Sequence, residues 1–143
     1  MNNTFIKYAQ QQLNKLNFEL TPKESGREEV DFIINIDNGN THELYLQTIK
    51  IEEKQSVSIL KSALGEPKDN LWIALVLLVG GIESVLYLIP SNKLTKPDDY
   101  VFLESKQGER LSHYSSWIIK IFPKGIRDVL NEYQLVNQVK NLI

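Results

Sequence analysis

An aspartate and a glutamine lie in two apolar segments that a short polar stretch separates. Asp31 is the second residue of VDFIINI, residues 30–36, and Gln47 lies within ELYLQTIKI, residues 43–51. A carboxylate in an apolar segment costs free energy when it is buried, unless it is paired or binds a metal. Gln47 also needs a hydrogen-bond partner, and Asp31 is a candidate. The alternative is a solvent-exposed Asp31 and a Gln47 that makes a local hydrogen bond, and periodicity by itself favours this alternative.

Both segments have the pattern of β-strands joined as a hairpin. The Asn-Gly pair in DNGN, residues 37–40, is a strong signal for the turn between them. Because side chains alternate along a strand, the second segment has two predicted faces. One face carries Glu43, Tyr45, Gln47, Ile49 and Ile51, and the other carries Leu44, Leu46, Thr48 and Lys50.

The segments before and after this hairpin predict two helices. Apolar residues at helical spacing predict a helix over residues 4–17 and a shorter one over residues 57–64, which Ser56 would cap. The polar residues 21–29 contain Pro and Gly and predict a loop. The helix after the hairpin permits a crossover to the next strand of the same sheet.

The second half of the chain predicts a buried strand and its return. Residues 71–79, LWIALVLLV, fit a central strand that is buried on both faces, and residues 83–89 pair back after Gly80-Gly81. Short strands over 100–104 and 115–122 follow, and Pro123 begins a C-terminal region of one long helix or two shorter ones. The order predicts a single α/β domain, residues 1–143, with a mixed central β-sheet flanked by helices.

The composition is typical of a soluble globular protein, with 42% hydrophobic and 24% charged residues. The chain contains no cysteine, which excludes disulfides and thiolate chemistry. It has no apolar signal-peptide core and no apolar segment long enough to span a bilayer, so we expect a cytoplasmic protein with no membrane partner. The net charge of −2 counts against a constitutive nucleic-acid binder, although a local basic patch remains compatible with it.

Motifs of several other site classes are missing from the sequence. There is no Gly-rich phosphate loop and no serine in a nucleophile elbow. The two histidines, His42 and His113, each stand apart from any acid at metal-ligand spacing. A zinc site is therefore not expected.

The order of elements and several short motifs resemble the PD-(D/E)XK nuclease superfamily, in particular small bacterial members with a glutamine in the motif. The motifs are an N-terminal helix, VDFIINI with its aspartate, LYLQTIK, a further helix, a hydrophobic hairpin that ends in YLIPS, and a tryptophan before the C-terminal helices. The resemblance covers most of the chain and implies a restriction-endonuclease-like fold. It also implies a nuclease that acts on DNA or RNA with a divalent metal, usually Mg²⁺.

Carried over residue by residue, the resemblance implies that Asp31 and Gln47 are metal ligands. The lysine position of the family falls on Ile49, which can neither stabilise a phosphate nor orient water. Lys50 is adjacent and would need a β-bulge to reach the site, and Lys54 is another substitute. The predicted catalytic residues are therefore Asp31, Gln47 and a displaced Lys50.

A second departure from the family lies in the first helix, which has Gln10, Gln11 and Gln12 where many members have a glutamate. Glu28, Glu29 or Glu43 could add the missing charge. The predicted function is a nuclease-like protein with a degenerate site and weak or no phosphodiesterase activity. One alternative is a non-catalytic module that binds a partner protein or nucleic acid. Another is a homodimer formed through the C-terminal apolar stripe, which includes Val136, Val139, Leu142 and Ile143.

Overall fold

The structure is a computed structural model that describes residues 3–36, 39–80, 83–106 and 114–143. Asp37, Asn38 and Gly81 of the two predicted turns lie outside the described residues. The helices are α1 (Asn3–Asn14), α2 (Lys61–Leu64), α3 (Pro123–Asp128) and α4 (Leu135–Leu142), with 3₁₀ segments at Ser91–Thr95 and Leu130–Tyr133. The strands are β1 (Glu19–Pro22), β2 (Asp31–Asn35), β3 (Thr41–Lys50), β4 (Ser56–Leu60), β5 (Leu71–Val79), β6 (Glu83–Pro90), β7 (Phe102–Ser105) and β8 (Ser116–Lys120). Within these ranges no helix is long and apolar enough to cross a membrane.

The larger sheet is mixed, with the strand order β1-β2-β3-β5-β6. Strands β1, β2 and β3 form an antiparallel meander, β3 runs parallel to β5, and β6 returns antiparallel beside β5. The predicted hairpin, central strand and second hairpin are therefore confirmed. Parallel neighbours need a crossover connection, and residues 51–70 provide it.

The crossover contains a strand where the sequence predicted a helix. The prediction of a helix over residues 57–64 is wrong for residues 57–60, which belong to β4. That strand pairs with β8, and β8 pairs with β7, to form a second, three-stranded sheet. Val57 and Ile59 are buried between exposed neighbours, which is the period of two expected for a strand. The helical part of the crossover is confined to Lys61–Leu64.

Strand β5 separates two hydrophobic cores. Its alternate side chains Ile73, Leu75 and Leu77 pack in a core with the three-stranded sheet. Trp72, Ala74 and Val76 point the other way, into a core shared with α1 and α4. The continuous apolar sequence of β5 follows from burial on both faces, as predicted.

The two ends of the chain pack on the same side of the larger sheet. The predicted N-terminal helix is confirmed as α1, whereas the predicted loop is wrong at Thr21 and Pro22, which belong to β1. At the C-terminus, α3 and α4 are separate helices. Leu142 is buried in the core beneath α1, while Val136 and Ile143 are 75% and 65% exposed. The C-terminal apolar stripe therefore serves partly to pack α4 on its own sheet.

Candidate functional site

The hairpin of β2 and β3 places two of the predicted site residues, Asp31 and Gln47, on a common face. Asp31 is the cross-strand neighbour of Tyr45, so Gln47 is its diagonal neighbour. Diagonal neighbours in antiparallel strands lie about 7–8 Å apart. Tyr45 and Ile49 pack in the core beneath the three-stranded sheet, so this face of β3 points toward that sheet.

Asp31 is bound by the guanidinium of Arg27. Nε of Arg27 donates to Oδ2 of Asp31 at 2.8 Å, and Nη2 donates to Oδ1 at 3.0 Å. The backbone N–H of Arg27 donates to Oδ2 as well, at 2.7 Å. The Asp31 side chain is only 16% exposed. The hydrogen bond from the Arg27 side chain lowers the pKa of Asp31, in opposition to desolvation, so the carboxylate stays ionised at neutral pH.

The chain around Arg27 is shaped to hold this pair. The Arg27 guanidinium lies 5.0 Å from the Tyr45 ring centroid, and its Nη2 also donates to the carbonyl of Ala63 at 3.0 Å. A Cβ at Gly26 would lie 2.7 Å from Cβ of Asp31, so this close approach of the turn requires glycine. Sequence reasoning missed the pair, although the spacing of four residues between Arg27 and Asp31 was a signal for it.

A second carboxylate, Glu43, lies in the same cavity and is also paired. Its Oε1 lies 2.5 Å from Nζ of Lys23, and its Oε2 lies 2.6 Å from Nζ of Lys68. Hydrogen bonds from Lys23 and then Lys68 lower the pKa of Glu43. Nothing in the local sequence indicated Lys68, because the crossover brings it to the hairpin. The cavity measures about 340 Å³, and its charged lining residues are Lys23, Arg27 and Lys68 with Asp31, Glu43 and Glu66.

Gln47 lies in a different depression from Asp31. Its Nε2 donates to the carbonyl of Leu46 at 2.9 Å, which is the local hydrogen bond of the alternative interpretation. The depression measures about 410 Å³. Lys54, the other lysine expected near the site, also lines it. Its lining residues are Gln47, Thr48, Ile49, Lys54, Ser56, Val57 and Ser58.

Lys50 lies at the end of β3, on the face opposite Ile49. The pairing of β3 with β5 runs in unbroken register from Glu43 to Lys50, so the local geometry is that of a regular strand. Nζ of Lys50 lies 4.0 Å from Oε1 of Glu53 at the protein surface. The structure thus places Asp31, Gln47 and Lys50 in three different surroundings.

His42 has a structural environment on β3. Nδ1 accepts a hydrogen bond from Nε1 of Trp72 at 3.0 Å, and Nε2 lies 2.8 Å from the carbonyl oxygen of Leu142. With Nδ1 as acceptor, Nε2 carries the proton and donates to Leu142. The imidazole therefore connects β3, β5 and the end of α4. His113 lies outside the described residues.

The chemistry available at the hairpin is that of two carboxylates already paired with cations. Across the described ranges, no group of three or more His, Cys, Asp or Glu side chains is arranged to hold a metal ion. An Arg-carboxylate pair of this kind is ordered and directional. No protein-family model matches the chain, and no curated protein or solved structure matches it.

Proposed function

We propose that this chain is a non-catalytic binding module with a restriction-endonuclease-like fold. The meander of β1, β2 and β3, followed by the parallel strand β5, supports this fold, as do an aspartate on β2 and a glutamine on β3. The crossover departs from the family order, because it contains β4 and the short α2 where the resemblance implies a longer helix.

The ion pair between Arg27 and Asp31 is the observation that carries the proposal. Both oxygens of Asp31 accept hydrogen bonds from Arg27, and each oxygen of Glu43 accepts one from a lysine. Mg²⁺ requires oxygen ligands in nearly octahedral geometry, so it would have to compete with these cations for either carboxylate. Gln47 adds a neutral amide and Lys50 is directed elsewhere. These features favour a site that serves recognition or stability.

A protein partner fits the cavity better than a nucleic acid does. Its three basic side chains are balanced by three acidic ones, whereas phosphate binding needs an excess of Lys and Arg. We expect no binding of fluorescent single- or double-stranded DNA or RNA in polarisation assays at low salt. Binding that weakens steeply as salt is added would favour a nucleic-acid partner.

Calorimetric titration of Mg²⁺ and Mn²⁺ into the wild type and Asp31→Ala tests whether Asp31 binds a metal. We expect no binding heat in either protein and no cleavage of DNA or RNA. Asp128→Ala, which removes an exposed carboxylate hydrogen-bonded to Tyr100, is the matched control. Metal binding and cleavage in the wild type and in this control, both absent from Asp31→Ala, would overturn the proposal.

The second candidate is a Mg²⁺-dependent nuclease. It is favoured by the position of Asp31 and Glu43 on neighbouring strands, where both line one cavity together with Lys23 and Lys68. Asp31 and Glu43 would hold the metal, which would polarise a phosphodiester and activate water. Arg27→Met separates the two candidates, because it releases Asp31 from its ion pair. A metal response gained by this variant would support the nuclease, and none is expected for the binding module.

A further inference from the structure

The outermost strands of the two sheets, β1, β6, β4 and β7, present four edges, and three of them are protected. On β6, the backbone of Tyr87 is bridged to Gln134, and the carbonyl of Ser84 accepts a hydrogen bond from the Tyr8 hydroxyl at 2.6 Å. Strand β1 is four residues long and ends in Pro22. Short strands and proline are common devices against unwanted edge pairing.

The β7 edge of the three-stranded sheet is protected by the turn before it. Lys120 N–H donates a hydrogen bond to the carbonyl of Val101. Because successive residues of a strand turn their backbone groups to opposite sides, the N–H and C=O groups of Phe102 point away from β8. Those groups are already paired, because the Phe102 N–H donates to Asp98 Oδ1 and its carbonyl accepts from the N–H groups of Asp98 and Asp99. Glu104 adds a charge on the same edge.

Strand β4, which is five residues long, forms the fourth edge and carries no proline or charged residue. Residues 55–60, QSVSIL, contain no charge, proline or glycine. Two hydrogen bonds fix the orientation of the β4 backbone. Ile121 N–H donates to the Gln55 carbonyl, and Lys61 N–H donates to the Ser115 carbonyl, so the backbone N–H and C=O groups of the odd-numbered residues point toward β8. The backbone groups of Ser56, Ser58 and Leu60 therefore point away from the sheet. Within the described ranges, β8 is the only strand that pairs with β4.

The uncharged edge of β4 can pair with an identical edge about a two-fold axis. We propose that β4 pairs antiparallel with β4 of a second copy of this chain, with Ser58 on the two-fold axis. In this register Val57 faces Ile59 of the second copy, and Ser56 faces Leu60, which is 41% exposed in the single chain. An isologous two-fold contact requires such a self-matching surface.

The pairing would join two three-stranded sheets into one continuous sheet. Ser56 and Ser58 of each copy supply N–H and C=O groups, whereas Leu60 supplies only its N–H, because its carbonyl accepts the first hydrogen bond of α2. The pairing therefore provides about four intermolecular hydrogen bonds. The flanking lysines do not face one another, because Lys61 stands opposite Gln55 of the second copy and Lys54 lies outside the paired residues. An edge contact of this size is expected to be reversible.

A charge-swap experiment tests both the dimer and its register. Sedimentation equilibrium of the wild type across a dilution series should show a monomer–dimer equilibrium. Ser58→Lys and Ser58→Glu each place like charges opposite one another, so each should weaken self-association by about tenfold or more. Mixing the two variants places opposite charges across the axis, so the mixture should recover a dimer.

The matched control is Ser105→Lys, which adds the same charge to the protected β7 edge of the same sheet and should dimerise like the wild type. Circular dichroism would verify that all variants are folded. A wild type that remains monomeric at the highest soluble concentration would overturn the proposal. So would a dimer that survives in Ser58→Lys, or a mixture that stays monomeric. The proposal does not depend on the state of Asp31, so it and the proposed function can fail separately.

Discussion

At the scale of single residues, Arg27 and Asp31 determine the character of the cavity. Replacing Arg27 by Met removes the cation and leaves a mostly buried carboxylate with weaker partners. We expect Arg27→Met to lower the free energy of unfolding at pH 7 by about 1 kcal/mol, a modest value because half of the arginine is exposed. Urea denaturation measures this change. Arg127→Met, on the exposed side of α3, is the control and should differ little from the wild type.

The same pair predicts how stability depends on pH. The pKa of Asp31 is lowered in the folded protein from its ordinary value of 3.8. The pair therefore contributes fully above the unfolded-state pKa, and its contribution is lost as pH falls through the lower, folded-state value. The difference between the wild type and Arg27→Met should shrink between about pH 5 and pH 2. A constant difference over this range would mean that Arg27 stabilises through packing on Tyr45.

Glu43 is the second residue whose removal has a predictable outcome. Glu43→Gln leaves Lys23 and Lys68 close together without the carboxylate between them, so their repulsion is no longer offset. We expect a loss of about 1 kcal/mol in the free energy of unfolding, discounted for the exposure of both lysines. Added salt screens the repulsion, so the loss should be smaller at 1 M NaCl than at low salt. A loss that is independent of salt would contradict the electrostatic explanation.

At the scale of elements, α3 is held close to the strands beneath it by Gly125. A Cβ on this residue would lie 2.7 Å from two ring atoms of Phe122 and 2.9 Å from Cγ2 of Val101. Gly125→Ala should therefore destabilise the protein by about 1–3 kcal/mol, although alanine is the better helix former. Lys124→Ala, an exposed position in the same helix, is the control for helix propensity. Thermal unfolding of both variants measures the difference.

The elements also show where sequence patterns are informative and where they fail. Strand β5 could be predicted because its continuous apolar sequence is long and fits burial on both faces. Strand β4 could not, because the apolar residues in its five positions and in α2 also fit a helical period. Its partner β8 lies far along the chain, so no local signal was available.

In the candidate site, too, the features that depend on neighbouring residues could be predicted, and those that depend on distant residues could not. The common face of Asp31 and Gln47 follows from strand alternation and from the hairpin between β2 and β3, both of which could be predicted. The spacing of four residues is a signal for Arg27 as the partner of Asp31, but it brings the two side chains together through a helical turn, within a segment that was predicted as a loop. Lys68 reaches Glu43 only through the crossover, so its role depends on the complete fold.

At the scale of the whole molecule, β5 connects the two cores and should make them unfold together. Leu75 is fully buried in the core beneath the three-stranded sheet. Leu75→Ala should lower the free energy of unfolding by about 2–5 kcal/mol through lost burial and the cavity left behind. Val136→Ala, at an exposed position, is the control and should change it by less than about 0.5 kcal/mol.

The two tryptophans can report the two cores separately, because Trp72 lies in one and Trp117 in the other. Leu75→Ala can be measured in a Trp117→Phe background, where Trp72 reports, and in a Trp72→Phe background, where Trp117 reports. Since both faces of β5 share one backbone, the loss caused by Leu75→Ala should be equal in the two backgrounds. A loss seen by Trp117 but not by Trp72 would mean that the core beneath α1 unfolds independently. In that case the larger sheet would retain its α1 side after the three-stranded sheet has separated, and β5 would not couple the two faces.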